Sequence, residues 1–380
     1  MSRVLVTAKA PQAGLAKTRL CPPLGLELAA RLAQAFLEDA LAHAREADPD
    51  AGLLAPADQA EELRATFPDT EVIAQHGVGL AAALEGAVRD GHVLVSGDAP
   101  TYPAELTRRG LESPADLVLG PSLDGGYCLI AMRRFHPAPF RGIAWSTGEV
   151  LAQTRAAGEA AGLTVELLDP HPDVDTYDDL ARLSLDAAPA TAAVLADPAA
   201  APFAPRPPRV VSGRTVAFAS AWRELHVDSL AGGQSYSYLE IPPAVWIVPV
   251  DEAGDTVLVR QYRHPVRAHP LETPAGSIQP GEDPVAAAAR ELREEVGGVA
   301  EQLTRIGGFY SSSAHISLRG LVFLAAGVRF SHPTHAADEG IELVRMPLRA
   351  AADLAERGEL CEAQSALALI WAARALRQAT

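Results

Sequence analysis

The chain of 380 residues is poor in lysine, cysteine and long apolar segments. Its three cysteines, Cys21, Cys128 and Cys361, lie far apart and lack the paired spacing of a zinc site or a disulfide framework. No apolar run approaches the roughly 18 residues needed to cross a bilayer, and the N-terminus lacks the apolar core of a signal peptide. The net charge of −16 argues against the wrapping of nucleic acid, which requires a basic surface. These absences predict a cytoplasmic protein without a membrane or nucleic-acid partner.

Only two of the 32 basic residues are lysines, Lys9 and Lys17. Arginine is used everywhere else, so each lysine marks a position where a compact ammonium is favoured. Both lie within residues 9–20, between an apolar strand-like run and an Ala/Leu-rich helix near residues 26–44. A strand, a glycine-containing basic loop and a helix form a common phosphate cradle, so Lys9, Gly14 and Lys17 are candidate phosphate-binding residues. Two lysines also fall together by chance, and that alternative stays open.

A second apolar strand, residues 93–96, ends in Gly97 and Asp98. One carboxylate at the edge of a sheet is a common way to hold a nucleotide-bound Mg²⁺ ion. Further loops with acidic and glycine residues follow at 120–127 and 173–180.

Together these segments resemble a glycosyltransferase-A-like family known as DUF2064, which is related to molybdopterin and phospholactate nucleotidylyltransferases. The resemblance covers residues 1–183. It implies Lys17 and Arg19 facing nucleotide phosphates, Asp98 and Asp175 as first and second metal ligands, and Asp124 on the acceptor side. For Asp124 and Asp175 ordinary turn and helix-cap chemistry is the alternative. The loop at 75–80 matches the family only loosely, which leaves open an altered acceptor or a lost activity.

The strongest motif occupies residues 276–298. Asp283 suits a helix N-cap, Pro284 suits the first turn, and Gly297 suits a left-handed C-cap, so a helix is predicted between them. The fixed positions of the motif are Gly276, Glu282, Arg290, Glu291, Leu292, Glu294, Glu295 and Gly297.

The three glutamates of this helix are spaced i, i+3 and i+4, which places them on one face. Like charges that are close repel each other unless a cation lies among them, and oxygen ligands suit Mg²⁺ or Mn²⁺. Such a metal activates water and neutralises charge on phosphorus. Arg290 is expected to orient a glutamate through a bidentate pair, with Glu282 as a second partner. Gly276 lets backbone carbonyls approach the metal. The alternative is a solvated acidic face with an ordinary Glu–Arg pair.

This frame resembles the Nudix box, the signature of hydrolases that cut nucleoside diphosphates linked to another group. Gly298 departs from the bulky aliphatic residue usual at the last position, which affects packing. The neighbouring segments "VRQYR" and "LETPAG" look like the ADP-ribose pyrophosphatase branch. The site residues that this resemblance implies are Ala275 (through its carbonyl), Glu291 and Glu295 as metal ligands, Glu294 as an assisting residue, Glu339 as a metal-linked residue or general base, and Arg263, Gly276 and Glu282 on the substrate.

The substrate remains open at this point. The branch usually carries a Ser-Pro-Gly-like segment where this chain has residues 310–315 without proline. His315 is either a phosphate contact or an ordinary loop histidine, and Glu339 is equally consistent with a charged turn. ADP-ribose is the leading candidate, and NDP-sugars and dinucleotides are alternatives.

Length predicts two or three domains, and strands that alternate with Ala/Leu-rich helices predict the α/β class. Residues 1–183 are expected to form a mostly parallel sheet with helices, residues 184–209 a semi-extended Ala/Pro linker, and residues 210–380 a Nudix α/β/α sandwich with a mixed sheet. The predicted protein is a Mg²⁺- or Mn²⁺-dependent pyrophosphatase fused to a nucleotide-dependent transferase, acting on nucleotide-sugar-type molecules. The resemblance implies a homodimer through the Nudix half. Two rivals remain: a non-catalytic nucleotide sensor, and a protein whose only physiological activity is the transferase.

Overall fold

The computed structural model describes residues 3–77, 79–206, 209–220, 222–332 and 340–379. It divides into two compact units. One comprises the described residues up to Leu20 and those from Glu27 to 206, and the other comprises Cys21–Leu26 and those from Arg209 onward. Among the described helices none is both long and apolar enough to span a membrane.

The first unit alternates strands and helices. Its strands are β1 Val4–Thr7, β2 Gly52–Ala55, β3 Val72–Ala74, β4 Val93–Ser96, β5 Leu117–Pro121, β6 Tyr127–Met132 and β7 Val165–Leu167. Its helices are α1 Leu26–Ala47, α2 Ala60–Thr66, α3 Leu80–Arg89, α4 Ala104–Glu112, α5 Val150–Ala160, α6 Tyr177–Arg182 and α7 Pro189–Ala196. Single 3₁₀ turns lie at Thr18–Leu20, Ala138–Phe140, Leu185–Ala187 and Ala201–Phe203.

The strands of the first unit form one sheet in the order β3-β2-β1-β4-β6-β5-β7. All neighbours are parallel except β6, which runs antiparallel to both β4 and β5. Central strands are buried on both faces, which explains continuous apolar runs such as Val93–Ser96. The mostly parallel sheet predicted from the sequence is confirmed. Because β1 and β4 are parallel and pair Thr7 with Ser96, the loops after them meet at one edge.

Part of the segment 184–209 differs from the extended linker that its composition predicts. Residues Pro189–Ala196 form α7, with Thr191 and Leu195 buried. Asp39 of α1, itself 2% exposed, accepts hydrogen bonds from Ala190 N at 2.8 Å, Thr191 N at 2.9 Å and Thr191 Oγ1 at 2.7 Å. This carboxylate satisfies the free N–H groups of the first turn. A cap supplied from another helix leaves no local signal in the sequence.

The second unit contains more strands and fewer helices among its described residues. Its strands are β8 Val211–Ala219, β9 Glu224–Leu230, β10 Ser235–Glu240, β11 Ala244–Val250, β12 Asp255–Arg260, β13 Leu271–Glu272, β14 Ala275–Ser277, β15 Gly298–Val299, β16 Gln302–Tyr310, β17 Arg319–Ala326, β18 Arg329–Phe330 and β19 Glu342–Pro347. Its helices are α8 Pro284–Val296, α9 Leu348–Glu356 and α10 Ala363–Ala379.

The central sheet of the second unit is mixed, in the order β14-β11-β17-β16, with β11 and β17 parallel. Smaller sheets have the orders β10-β9-β8, β13-β12-β19 and β15-β18. Alternate residues of β11 serve two cores: Val245 and Ile247 pack with Leu292 of α8, whereas Val248 packs with Leu369 of α10. This period of two places helices on both faces of the sheet. The predicted α/β/α sandwich with a mixed sheet is therefore confirmed.

Candidate functional site

Helix α8 carries the strongest motif and is fixed at both ends by its own sequence. Asp283 accepts hydrogen bonds from Val285 N at 2.8 Å and Ala286 N at 3.2 Å, which caps the first turn. Gly297 ends the helix with φ 65° and ψ 22°, and a Cβ there would lie 2.2 Å from the Ser331 carbonyl oxygen. Only glycine fits this left-handed, crowded position. Both ends of α8 are therefore defined, which fixes the register of its glutamates.

Arg290 is the centre of a charge network on α8. Its Nε and Nη2 donate to the two oxygens of Glu282, each at 2.9 Å, which forms a bidentate pair. Its Nη1 donates to Glu291 Oε1 at 2.6 Å and to Glu294 Oε2 at 3.2 Å. Nη2 also donates to the Ser277 carbonyl at 3.0 Å. One guanidinium thus joins the loop before the helix to two glutamates on it.

Glu291 lies directly against the backbone of Gly276. A Cβ built on Gly276 would lie 2.1 Å from the carboxyl carbon of Glu291. Any side chain at position 276 would therefore displace this carboxylate. Close approach, without a positive φ, is the physical reason for glycine here.

Glu295 takes a separate position from its two neighbours. Its Oε2 accepts a hydrogen bond from Ala275 N at 3.0 Å. Glu291 and Glu294 instead contact Arg290, so the three carboxylates of one helix face do not meet at one point. Within the described parts of the chain, no group of three or more His, Cys, Asp or Glu side chains is arranged to hold a metal ion.

The donor set nevertheless fits a hard divalent cation. Glu291, Glu295 and the Ala275 carbonyl offer only oxygen atoms, and these are the ligands that Mg²⁺ and Mn²⁺ prefer. Gly276 keeps the Glu291 carboxylate beside the strand that bears Ala275. The residues are therefore compatible with the metal that the motif implies.

The electrostatics differ among these acids. Burial raises the pKa of Glu291 above its ordinary value, although Arg290 acts in the opposite direction. Hydrogen bonds from Arg290 lower the pKa of Glu282, and hydrogen bonding to Glu282 raises the pKa of Arg290. Arg290 therefore remains charged and holds Glu282 ionised.

Arg263 lies on the loop after β12. Its Nε donates to both oxygens of Glu272, at 3.2 and 3.1 Å, and its Nη2 donates to one of them at 2.5 Å. Glu272 is 8% exposed and was not singled out from the sequence, although it is the acid of "LETPAG". This pairing raises the pKa of Arg263, with smaller contributions from Glu295 and Glu362. Arg263 is thus held in place within electrostatic reach of Glu295.

Glu339 and His315 are the two other residues that the sequence analysis considered in this half. Glu339 lies outside the described residues. His315 is exposed, and its Nδ1 lies 3.2 Å from Ser312 Oγ.

In the first unit, Lys17 and Asp98 meet at the sheet edge. Lys17 Nζ lies 2.6 Å from Asp98 Oδ1 and 3.8 Å from Asp175 Oδ1, and it donates to the Val174 carbonyl. Arg19 Nη1 lies 2.9 Å from Asp175 Oδ2. The structure therefore brings together four of the residues that the sequence suggested for this site.

The remaining predicted residues of the first unit, Asp124, Lys9 and Gly14, lie in loops. Asp124 Oδ1 accepts from Gly126 N at 3.0 Å and from the Ser122 hydroxyl, which is turn chemistry. Lys9 is exposed, and Gly14 has a φ of 84° that favours glycine.

Two features of this edge were not expected from the sequence. Phe36 of α1 lies with its ring centroid 5.2 Å from Lys17 Nζ. Burial, with Asp124, Asp175 and Asp98 nearby, raises the pKa of Asp173 to about 7. Asp173 stands in the acidic segment 173–180, but neither its burial nor the ring is visible in a local pattern.

With this geometry established, comparisons with known proteins separate the two units. Residues 240–364 match the NUDIX domain profile, and residues 39–147 match the profile described as an uncharacterized protein conserved in bacteria, DUF2064. The ADP-ribose pyrophosphatase of Bacillus subtilis is 35% identical over 130 residues, which covers 34% of this chain and 70% of that protein. The methanol dehydrogenase activator of Bacillus methanolicus is 31% identical over 170 residues, covering 42% and 86%.

A solved structure also aligns with the chain. It belongs to a protein provisionally assigned as a nucleotide-diphospho-sugar transferase from Desulfovibrio desulfuricans G20, with 31% identity, a TM-score of 0.48, and coverage of 53% of this chain and 98% of that one. The profile matches and the Bacillus relatives together establish that the chain belongs to the Nudix family, as a Nudix hydrolase joined to an N-terminal DUF2064 domain.

Proposed function

We propose that the second unit is a Mg²⁺- or Mn²⁺-dependent pyrophosphatase that cleaves a nucleoside diphosphate linked to a sugar. ADP-ribose is the favoured substrate, with AMP and ribose 5-phosphate as products. The observation that carries the proposal is the placement of Glu291 against Gly276 and of Glu295 on Ala275 N. The carboxylates of Glu291 and Glu295 thus lie beside adjacent residues of the short strand β14.

The proposed roles follow from the contacts. Glu291, Glu295 and the Ala275 carbonyl would hold the divalent ion, which supplies an activated water and neutralises charge on the diphosphate. Arg290 positions Glu291 and Glu294 through its hydrogen bonds. Glu294 assists, and Glu339 is retained as a general-base or metal-linked candidate.

We assign three residues to contacts with the substrate or to the loop beside it. Arg263, held by Glu272, presents a fixed positive charge to the diphosphate. Gly276 and Glu282 shape the adjoining loop. The name of the Bacillus subtilis relative supports ADP-ribose, and the Escherichia coli relative, ADP compounds hydrolase NudE, supports a wider class of ADP compounds.

A substrate panel tests this proposal. Full-length protein with Mg²⁺ would be offered ADP-ribose, NDP-sugars, dinucleoside polyphosphates and nucleoside triphosphates. We expect the fastest turnover with ADP-ribose and a loss of at least about 100-fold in Glu295→Gln. Glu356→Gln, an exposed glutamate of α9, is the matched control and should retain full rate. Tight binding of ADP-ribose without turnover would instead favour the nucleotide sensor.

For the first unit we propose a nucleotide-dependent transferase. The observation favouring it is the meeting of Lys17 and Asp98 at the carboxyl edge of a mostly parallel sheet. Lys9, Gly14, Lys17 and Arg19 would face phosphates, Asp98 and Asp175 would hold the metal, and Asp124 would line the acceptor side. Retention of labelled nucleotide on full-length protein carrying Glu291→Gln and Glu295→Gln, lost when Asp98→Asn is added, tests this. Equal retention in both would contradict it.

The domain division belongs to the same proposal. We assign the transferase to residues 1–183, a connecting segment to 184–209 and the hydrolase to 210–380. The rival function, in which the transferase is the only physiological activity, predicts fast nucleotide transfer. It also predicts a rate of ADP-ribose hydrolysis far below the rate of that transfer.

We also propose a homodimer through the second unit. Strand β8 is exposed along its whole length, with Val216 and Phe218 at 47% and 60% exposure. An exposed edge strand with apolar residues is a template for pairing with another chain. Light scattering should give twice the chain mass for the wild type and the chain mass for Phe218→Asp. A monomeric wild type would contradict the proposal.

A further inference from the structure

The Lys17 ammonium lies among oxygen atoms of the kind that bind a divalent metal ion. Its side chain is only 8% exposed, although it is charged. The ammonium contacts the Val174 carbonyl, Asp98 Oδ1 at 2.6 Å and Asp175 Oδ1 at 3.8 Å, and it lies 5.2 Å from the centroid of the Phe36 ring. A carbonyl, two carboxylates and a π face are all groups that attract a cation. The site therefore already contains a cation that belongs to the chain.

The backbone supports a specific placement of this ammonium. Lys17 adopts a φ of 48°, which is unfavourable for a residue with a Cβ. Such conformations persist where surrounding contacts enforce them, and they cluster at ligand-binding and switch positions. The contacts of Nζ accompany this conformation, together with the hydrogen bond from Leu20 N to the Lys17 carbonyl at 2.9 Å.

A divalent ion and the Lys17 ammonium would compete for the same oxygen, Oδ1 of Asp98. Mg²⁺ binds carboxylate oxygen at about 2.1 Å, so an ion on Asp98 Oδ1 would lie within a few ångströms of Nζ. The Lys17 side chain is 8% exposed and that of Asp98 is 53% exposed, so the ion can reach the carboxylate from solvent. Repulsion between the two cations there is strong. Binding of either cation at this oxygen therefore disfavours binding of the other.

We propose that Lys17 is a tethered cation that competes with the divalent metal for Asp98 and Asp175 and is drawn away by the phosphates of an incoming nucleotide. Metal binding and phosphate binding are then coupled, because each favours the state in which Lys17 has left the aspartates. This inference rests on the proposed function of the first unit. It adds an order of events to that function. Nucleotide phosphate first draws Lys17 away from the aspartates, and the metal ion then binds them.

The choice of lysine fits this role. A single ammonium on a flexible stem moves by rotation about side-chain bonds, whereas the planar fork of arginine is bulkier and bonds in pairs. Arg19 holds the other oxygen of Asp175 and is 64% exposed, so Asp175 keeps a partner when Lys17 leaves. Lysine is retained here in a chain that otherwise uses arginine, with the exposed Lys9 as the other exception.

The test is a Mn²⁺ titration followed by electron paramagnetic resonance. Full-length protein carrying Glu291→Gln and Glu295→Gln serves as the background, to suppress binding at the second unit. We expect Lys17→Met to bind Mn²⁺ about 10-fold more tightly than the background. Inorganic phosphate should tighten Mn²⁺ binding in the background and have no such effect in Lys17→Met. Arg31→Met removes the cation of another Arg–Asp pair in the same unit and should leave the affinity unchanged.

The outcomes separate the inference from the function on which it rests. If Asp98→Asn binds Mn²⁺ like the background, the metal assignment of the first unit fails, and the competition fails with it. If Asp98→Asn loses the ion while Lys17→Met binds it equally or more weakly, the metal site stands and the competition is overturned.

A second measurement needs no substitution at Lys17, in case that variant does not fold. Because the chain contains only two lysines, [ε-¹³C]lysine labelling gives two side-chain signals, which Lys9→Met assigns. We expect Mg²⁺ with inorganic phosphate to shift the Lys17 signal toward that of a solvated lysine. A Lys17 signal that stays in place while the metal binds at Asp98 would overturn the inference.

Discussion

The two units both place a basic side chain among the acids predicted to bind metal, but they hold it differently. Arg290 stands on a helix and contacts Glu282, Glu291, Glu294 and the Ser277 carbonyl at 2.6–3.2 Å. Lys17 stands on a loop and contacts one carboxylate closely, a second at 3.8 Å and one carbonyl. The first cation is part of the framework, and the second can be displaced. A basic residue in an acidic site is therefore either a fixed structural partner or a displaceable cation. The number and geometry of its contacts distinguish the two.

The largest effect expected from a framework change is at Gly276. Gly276→Ala places a methyl group 2.1 Å from the Glu291 carboxyl carbon, so that carboxylate must move. We expect ADP-ribose hydrolysis to fall by about 10- to 100-fold, as it does when the support of a metal ligand is lost. Gly213→Ala, with open space around it, is the control. Equal rates for both variants, measured at saturating Mg²⁺, would show that the close approach is irrelevant.

The framework role of Arg290 predicts a stability effect. Arg290→Gln leaves Glu282, Glu291 and Glu294 without their shared cation, and all are at least partly buried. We expect unfolding in urea to require about 1–3 kcal/mol less free energy, between the values for exposed and buried pairs. The matched control is Arg293→Gln on the exposed face of α8, with a change within about 0.5 kcal/mol. Equal losses in the two variants would place Arg290 among ordinary surface residues.

This stability difference should depend on pH. Arg290 lowers the pKa of Glu282 in the folded chain, so the pair stabilises the fold above the ordinary pKa of a glutamate. That contribution is lost as the pH falls through the lowered pKa. The gap between wild type and Arg290→Gln should thus be widest near pH 7 and should shrink below about pH 4. A gap that widens on acidification would contradict the assignment.

The smallest effect concerns the thiols of the two units. Cys361 is exposed, whereas Cys21 and Cys128 are buried. Burial raises the pKa of Cys21 to about 11, and it raises the pKa of Cys128 further, with Asp173, Asp124, Asp98 and Asp175 acting in the same direction. A thiol reagent at pH 8 should therefore label only Cys361 quickly. Fast labelling of Cys128 would show that the acidic edge of the first unit is more open than described.

The second unit was more predictable from its sequence than the first because its site lies within one continuous motif. The caps Asp283 and Gly297 and the i, i+3, i+4 glutamates depend on neighbours along one helix. Glu272, the partner of Arg263, was missed because a contact between a loop and a later strand follows no spacing rule in the sequence.

In the first unit the sequence indicated the loops but not their contacts. Lys17 and Asp98 are far apart in the chain and meet because β1 and β4 are parallel neighbours. The burial of Asp173, the Phe36 ring beside Lys17 and the Asp39 cap of α7 all depend on tertiary packing. Composition alone predicted an extended segment where α7 forms, because a long-range cap is invisible to local propensity.

The most direct test of the central claim is the Mg²⁺ dependence of ADP-ribose hydrolysis by the full chain, measured for the wild type and Glu291→Gln. The account predicts no turnover in EDTA, saturable activation by Mg²⁺, and at least about a 10-fold higher Mg²⁺ requirement in the variant. Turnover that persists in EDTA, or the same Mg²⁺ dependence in both proteins, would contradict the assignment of the α8 carboxylates as the metal-binding centre of the hydrolase.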